Sequence, residues 1–289
     1  MNLEFGILLA LACAFFTNLG FLYKHRGVGE VPAVDFRHPM RSTSALFSSR
    51  WFVIGWFVAL GGLALHVGAL ALAPISIVQS VIASGLVFLA VLAERFFGYK
   101  LGLRQWAGIV VTAIGLLLLA LTVGRGGAGR FSPGQLVVFE GVAVVLGMAL
   151  LAGPRFSGRT HQHGMMIGAS AGILIGVSDI AIKAMTDIAS DSGTLSAMFS
   201  PWMALALAMA VVSFFAIARG LQTGDAVPVI AAISVSANVV QIVGGIVAFG
   251  DPMPAQTLGI VAQALGFAMV CFATALMPGP IRAAALAEA

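Results

Sequence analysis

Three ionisable residues lie inside long apolar stretches of the sequence: Glu140, Asp179 and Lys183. Charged side chains at membrane depth are costly and usually face a cavity or a partner. Because Asp179 and Lys183 are four residues apart, a helix would place them on one face, where they are expected to pair. This pattern predicts a polar cluster that binds a substrate or a coupling ion. The alternative is a structural ion pair, with Glu140 reaching the membrane surface.

A stripe of polar side chains marks the segment 226–249. Ser234, Asn238 and Gln241 follow i, i+4, i+7 spacing and therefore share one face of a helix. Amides in hydrocarbon need hydrogen-bond partners, which either a wet cavity or a neighbouring helix supplies. We expect the stripe to line a cavity, together with weaker polar positions elsewhere in the chain: Thr17, Asn18, Ser76, Gln79, Ser80 and Ser84.

The sequence does not predict an enzyme. It contains no nucleophile–base arrangement, phosphate-binding loop or run of metal ligands. His161 and His163 lie in a linker without a nearby cysteine, so they do not predict a metal site. Metal ligands therefore stay unassigned, and we expect no cofactor.

The elements that position these residues follow from composition. The 289 residues are 60% hydrophobic and 9% charged, with a mean hydropathy of +1.04. A soluble domain carries about 25% charged residues, whereas a membrane-spanning helix needs about 20 consecutive apolar residues. We predict an all-α polytopic membrane protein with about nine spans: 3–23, 50–72, 75–96, 104–123, 133–153, 164–188, 200–222, 226–249 and 254–277.

Positive charges are distributed unequally between the two sides of these spans. Twelve Lys or Arg residues fall on the side of the long loop 24–49, and only Arg125 and Arg130 fall on the other. Because cytoplasmic loops carry an excess of Lys and Arg, we predict an inner-membrane protein whose N-terminus is outside and whose C-terminus is cytoplasmic. The net charge of +4 is a property of these loops and does not predict a nucleic-acid partner.

The chain also contains an internal repeat. Shifted by 151 residues, the segment 51–123 aligns with 202–274 without a gap, and Trp51 falls on Trp202. Six of the eleven positions in 105–115 are identical to their partners. A shared register of this length, including Gln, Trp and paired Gly, indicates two related four-helix units.

One predicted helix connects the two units, so the second unit enters the membrane from the opposite side. Inverted repeats of this kind are typical of secondary transporters. We predict a pseudo-two-fold relation between the units, with the connecting helix at the periphery. The predicted organisation is a first repeat at 1–123, a connecting helix with linkers at 124–163, a second inverted repeat at 164–277, and a cytoplasmic tail at 278–289.

The inverted arrangement makes a prediction about the site. Spans 75–96 and 226–249 occupy equivalent places in the two units and should meet near the central axis. The amide stripe would then face Gln79 across a cavity at the membrane midplane, with Asp179 and Lys183 at its outer rim as a charged gate.

Several local features resemble the four-helix module of the small multidrug resistance transporters. The first helix closes on Lys24, a turn lies at Ala73-Pro74, and the segment from Glu94 to Leu101 leads into Gln105-Trp106-Ala107-Gly108. Duplicated modules of this kind form the drug/metabolite transporter superfamily, which includes the EamA-type proteins. The nine-span plan, the basic loop after the first helix and the sequence Ile182-Lys183-Ala184 look similar to the NIPA-type branch, whose members are linked to magnesium transport.

The resemblance implies a transporter that moves a small polar solute or cation by alternating access, with Mg²⁺ as a candidate substrate. Export of a metabolite, an organic cation or a lipid-linked headgroup is the alternative within transport, and a non-transporting membrane assembly protein is the alternative of another class. The partners would be the lipid bilayer and the substrate, and a homodimer is among the oligomeric states left open.

One departure from the resemblance concerns coupling. The small multidrug family couples transport to protons through a glutamate eight residues before the lysine of the first helix. The corresponding positions here are Phe16 and Ile175, so that coupling site does not carry over.

The predicted topology can be tested by cysteine labelling from outside the cell. We expect a membrane-impermeant reagent to label Ala128→Cys in intact cells and to leave Arg37→Cys unlabelled until the membrane is opened, because the two positions lie on opposite sides. Labelling of position 37 but not of position 128 in intact cells would reverse the orientation.

Overall fold

A computed structural model of the protein describes residues 2–72, 81–82, 85–122, 133–155, 162–250 and 256–276. Within these ranges the chain is helical and has no β-strand. A 3₁₀ turn covers Gly153–Arg155. The α-helices are α1 (Asn2–Val28), α2 (Pro39–Ser48), α3 (Arg50–Leu72), α4 (Leu86–Phe97), α5 (Leu103–Thr122), α6 (Pro133–Ala152), α7 (His163–Ser192), α8 (Thr194–Met198), α9 (Pro201–Thr223), α10 (Ala226–Phe249) and α11 (Thr257–Leu276).

Five of these helices contain stretches that are long and apolar enough to cross a membrane within the described residues: Glu4–Val28, Pro133–Ala152, His163–Ala189, Pro201–Thr223 and Ala226–Phe249. A sixth span is formed if α2 and the segment Arg50–His66, which meet at 90°, are counted together. Shorter apolar stretches lie at Leu103–Leu119 and Thr257–Val270. This composition identifies a polytopic helical membrane protein, as the sequence predicted.

The first helix and the following loop differ from the prediction. Helix α1 continues to Val28, five residues past the predicted end at 23, and the predicted loop 24–49 contains helix α2. Lys and Arg are good helix formers, and the guanidinium group of Arg26 lies 4.1 Å from the centre of the Trp51 ring. The positive charges that end the apolar run therefore do not end the helix.

The connection between α1 and α2 is fixed by Gln222 near the end of α9. The Gln222 side chain accepts a hydrogen bond from the backbone N–H of Val34 at 2.9 Å. It also donates to the carbonyl oxygens of Val28 and Pro32, each at 3.1 Å. One amide thus satisfies three backbone groups, one at the end of α1 and two in the connection that follows it.

Glycine residues on α7 bring its backbone into contact with α10. A methyl group on Gly172 would overlap the Ser236 hydroxyl and the Ile233 carbonyl, and one on Gly176 would lie 2.7 Å from the Val240 side chain. A methyl group on Gly168 would lie 3.0 Å from the carbonyl oxygen of Val229. These contacts follow the four-residue spacing of small residues that favours close packing in membranes.

A second close approach joins α5 to α11. A methyl group on Gly115 would lie 2.9 Å from the carbonyl oxygen of Gly266, and one on Gly266 would lie 2.9 Å from that of Gly115. The contact is therefore reciprocal between two residues that the 151-residue repeat makes equivalent. Helix α4 also contacts α10 in the described part of the chain.

Helix α6, the predicted connecting helix, is mostly exposed. Only 22% of its apolar stretch is buried, the smallest share among the five candidate spans. Its buried residues form one narrow stripe that faces α7 and α10: Leu136, Glu140, Ala143 and Gly147.

The α7–α10 contact makes a prediction about stability. We expect Gly172→Ala to lower the free energy of unfolding by about 1–3 kcal/mol, because the new methyl group forces two packed backbones apart. Thermal unfolding of the purified protein in detergent measures this as a fall in Tm.

Gly141→Ala on α6 is the matched control, because no atom lies within 4 Å of a methyl group there. That variant should be neutral or stabilising by up to about 1 kcal/mol, since Ala is the better helix former. Equal effects of the two substitutions would contradict the packing described for α7 and α10.

Candidate functional site

The predicted charged residue of α7 and the predicted amide stripe of α10 meet in the structure. The side-chain amide of Gln241 donates a 2.6 Å hydrogen bond to the carboxylate Oδ2 of Asp179. The α7–α10 glycine contact one to two turns away sets the helices close enough for this bond. The bond therefore joins an acceptor on α7 to a donor on α10.

The predicted ion pair between Asp179 and Lys183 is not formed. Asp179 is bonded to Gln241, while the Lys183 ammonium group lies 4.2 Å from the centre of the Phe249 ring. Sequence spacing places both residues on the exposed side of α7, but the neighbouring helix offers each a different partner. An aromatic face stabilises a cation at about this distance, so Lys183 is held at the end of α10.

The other members of the amide stripe are half-buried. The Asn238 side chain donates at 2.7 Å to the carbonyl oxygen of Ser234, one turn earlier on its own helix. Asn238 therefore satisfies its donor locally and does not bind a second helix through that bond. Among the described residues, Gln241 is the member of the stripe whose side chain bonds to a neighbouring helix.

Asn18 has a structural role in the protein. It is 8% exposed, and its side-chain nitrogen donates to the carbonyl oxygens of Ala14 at 2.8 Å and Gly85 at 3.0 Å. The bond to Gly85 ties α1 to the residue before α4. Gln79, the predicted counterpart of the stripe, lies outside the described residues, as do Ser76, Ser80 and Ser84.

Glu140 lies in the buried stripe of α6 and is only 2% exposed. Within the described part of the chain, neither of its carboxyl oxygens has a hydrogen-bond partner. The alternative in which Glu140 extends to the membrane surface is therefore wrong. One helical turn on either side of it are Leu136 and Ala143, so the carboxyl group is enclosed by apolar packing.

A polar network that the sequence did not predict joins helix ends near one another. His25 approaches the carbonyl oxygen of Gly224 through Nε2 at 3.4 Å and the Tyr99 hydroxyl through Nδ1 at 2.9 Å. A carbonyl can only accept, so Nε2 carries the proton and Tyr99 donates to Nδ1. Burial, and secondarily the charge of Asp225, raises the pKa of Tyr99 to about 12, which keeps this donor protonated.

Glu94 fixes the connection between α4 and α5 in a similar way. Its Oε1 accepts hydrogen bonds from the Trp106 indole and the Leu101 backbone N–H, both at 3.1 Å. The partners of His25 lie 74 and 199 residues away, so spacing alone gave no signal for that network. The Glu94 contacts fall within the segment 94–106.

The oxygen atoms around Asp179 limit the kind of cation the site could accept. The described residues contain no group of three or more His, Cys, Asp or Glu side chains arranged to hold a metal ion. Hard cations such as Mg²⁺ take six oxygen ligands, and in proteins several of these are usually water molecules. One carboxylate bonded to one side-chain amide offers few protein oxygens, which suits a cation that keeps part of its hydration shell.

Comparison with known proteins gives similarity over most of the chain. The probable magnesium transporter NIPA9 of Arabidopsis thaliana is 26% identical over 287 residues, covering 94% of this chain and 81% of that protein. An uncharacterized protein of Corynebacterium glutamicum is 28% identical over 192 residues, covering 63% of each. No family model and no solved structure matches the chain. The similarity and the apolar helices together indicate a multi-pass membrane protein.

The contact made by Asn18 predicts a loss of stability on substitution. Asn18→Ala should lower the free energy of unfolding by about 1–3 kcal/mol, because it removes a buried donor from two carbonyl oxygens. The fall in Tm in detergent measures the effect. Asn238→Ala is the control and should cost less, because Asn238 bonds to its own helix and is half-buried. A larger loss for Asn238→Ala would contradict the structural role of Asn18.

Proposed function

We propose that this protein is a membrane transporter that moves a small polar solute or cation, with Mg²⁺ as the leading substrate. The observation that carries the proposal is the hydrogen bond between Asp179 and Gln241, which holds a carboxylate at membrane depth on the face of a helix pair. Charged residues in such positions commonly mark ion pathways. The similarity to a probable magnesium transporter over 94% of the chain supports the same function.

The substrate would be held by oxygen atoms from the α7–α10 pair. Asp179 supplies the negative charge, and the side chains of Ser234, Asn238 and Gln241 supply neutral oxygens along one face of α10. A Mg²⁺ ion would keep most of its water molecules there, because it dehydrates reluctantly. Lys183 adds a positive charge one turn from Asp179, which would limit how long a cation stays bound.

Alternating access would arise from the inverted repeat. Helix pairs α1–α3 and α1–α4 contact each other in the first half, and α7–α9 and α7–α10 do so in the second, at equivalent places in the repeat. The reciprocal Gly115–Gly266 contact lies where a pseudo-two-fold axis would pass. Two related halves of this kind can pack in two nearly equivalent ways, one open to each side. The nine-span plan, with the N-terminus outside and the inner membrane as location, belongs to this proposal.

The amide stripe also suits a second class of substrate. Ser234 and Asn238 offer neutral hydrogen-bonding groups that would recognise a polar metabolite, an organic cation or a lipid-linked headgroup as readily as a metal ion. A non-transporting assembly protein would use the same contacts for packing alone. Transport by the purified protein in liposomes separates these alternatives, because an assembly protein moves nothing.

Uptake of Mg²⁺ into liposomes containing the purified protein tests the proposal. Asp179→Asn should lower the initial rate roughly tenfold or more, since hydrogen bonds to charged groups contribute about 1.5–3 kcal/mol. It also leaves the positive charge of Lys183 dominant at the site. Asn238→Leu should abolish uptake and leave folding intact, because Leu suits both lipid and protein packing.

Gln135→Leu is the matched control, since it replaces an exposed amide of α6, a helix that contributes no residue to the polar stripe of α10. It should transport as the wild type does. Normal uptake by Asn238→Leu would exclude the stripe from the pathway. Wild-type liposomes that take up a polar metabolite and no Mg²⁺ would assign the second substrate class.

A further inference from the structure

Glu140 is the one ionisable side chain on the buried stripe of α6. The remaining buried positions of this helix are Leu136, Ala143 and Gly147, whereas Val137, Val138, Val142 and Val145 are exposed on the lipid side. A peripheral helix needs only apolar and small residues to pack. Packing alone therefore does not explain why α6 carries a carboxyl group at position 140.

The described residues around Glu140 provide no hydrogen bond that would stabilise a negative charge. Leu136 belongs to one apolar cluster with Ile180, Ala184, Ala248 and Phe249, and Ala143 belongs to another with Ile173 and Val177. Neither carboxyl oxygen accepts a hydrogen bond from the described residues. An ionised carboxylate in such a place is strongly destabilised, so it must bind either a proton or a cation.

A proton fits this place better than a metal ion. Hard cations require several oxygen ligands, and the side chains packed one turn above and below Glu140 are hydrocarbon. A single carboxyl group can bind one proton without further ligands. The apolar surroundings of Glu140 therefore favour a proton over a metal ion as the species that its carboxyl group binds.

The charged groups on the neighbouring elements lie mainly on α7. Asp179 is adjacent to Ile180, whose side chain packs with Leu136, and Lys183 lies over Phe249 of the same cluster. Asp187 follows one turn later on α7. Helix α10 has no titratable residue, and the 3₁₀ turn with Arg155 is about 20 Å further along α6 at 1.5 Å per residue.

We propose that Glu140 is a proton-coupling residue: it holds a proton while the substrate site is empty and releases it to the aqueous phase when a cation binds beside Asp179. This inference rests on the proposed function for the substrate site. A cation at Asp179 adds positive charge within a low-dielectric region, which favours the ionised form of a nearby carboxyl group. Proton and cation then bind with opposite preference, and each weakens binding of the other by the same factor.

This linkage would exchange a proton for a cation across the membrane. The O–H bond of the carboxyl group breaks, the electron pair stays on the carboxylate, and the proton leaves as hydronium. The cation balances the new negative charge. Reprotonation from the opposite side restores the empty site, so a proton gradient would drive cation movement.

Infrared spectroscopy of the full-length protein tests the first part of this inference without any transport assay. Near neutral pH, the wild type should show the carbonyl stretch of a buried protonated carboxylic acid, and Glu140→Gln should lack it. Glu4→Gln, which replaces an exposed carboxylate near the N-terminus, should retain it. Absence of the acid band from the wild type overturns the inference, whatever the protein does with Mg²⁺.

Addition of Mg²⁺ alone tests the second part. In weakly buffered detergent solution the wild type should release about one proton per bound Mg²⁺, because one carboxyl group ionises, and its acid band should weaken. Glu140→Gln should still bind Mg²⁺, as measured by calorimetry, but should release no proton. Glu4→Gln should behave as the wild type. The loss of the acid band on Mg²⁺ addition is measured on the wild type, so it decides the question even if Glu140→Gln does not fold.

Proton release by folded Glu140→Gln equal to that of the wild type overturns the assignment to Glu140. A wild type that binds Mg²⁺ with no proton release and an unchanged acid band overturns coupling. A wild type that keeps the acid band but neither binds nor transports Mg²⁺ shows instead that the proposed Mg²⁺ transport function has failed.

Discussion

The close contact between the backbones of α7 and α10 determines where the polar groups of this protein lie. Gly168, Gly172 and Gly176 have no side chain to hold the helices apart, so α10 approaches within van der Waals contact along three turns. In lipid, helices associate mainly through packing and interhelical hydrogen bonds. At the end of this contact Gln241 reaches Asp179 at 2.6 Å. A wider separation of the two helices would leave the carboxylate without its donor.

The same contact explains why α6 can carry a carboxyl group in an apolar stripe. Gly244 of α10 lies where α6, α7 and α10 meet, and a methyl group there would collide with Ile180 and lie 2.8 Å from the Phe139 ring. Glu140, the residue after Phe139 on α6, is buried beside this junction. The position of Glu140 is set by the packing of residues that have no polar function. The burial of its carboxyl group is therefore a consequence of the fold.

The sequence predicted the helical class and the polar stripe, because apolar runs and i, i+4, i+7 spacing are local properties. It could not predict which helix satisfies Asp179, since the four-residue spacing to Lys183 suggested a partner on the same helix and the structure supplies Gln241 from 62 residues away. The surface position considered for Glu140 failed for a related reason. Residues 136, 140, 143 and 147 are spaced as one face of a helix, but only the neighbouring helices reveal that this face is the buried one.

The two embedded carboxyl groups differ in what surrounds them. Asp179 accepts a strong hydrogen bond and lies on the exposed side of α7, so water or a cation can compensate its charge. Glu140 is enclosed, and its charge has no such compensation among the described residues. In a low-dielectric medium this difference separates the charge states of two otherwise similar groups. On the proposed function, Asp179 would attract a cation and Glu140 would exchange a proton. Helix α7 carries Asp179 and packs against α6, so it is the element common to the two positions.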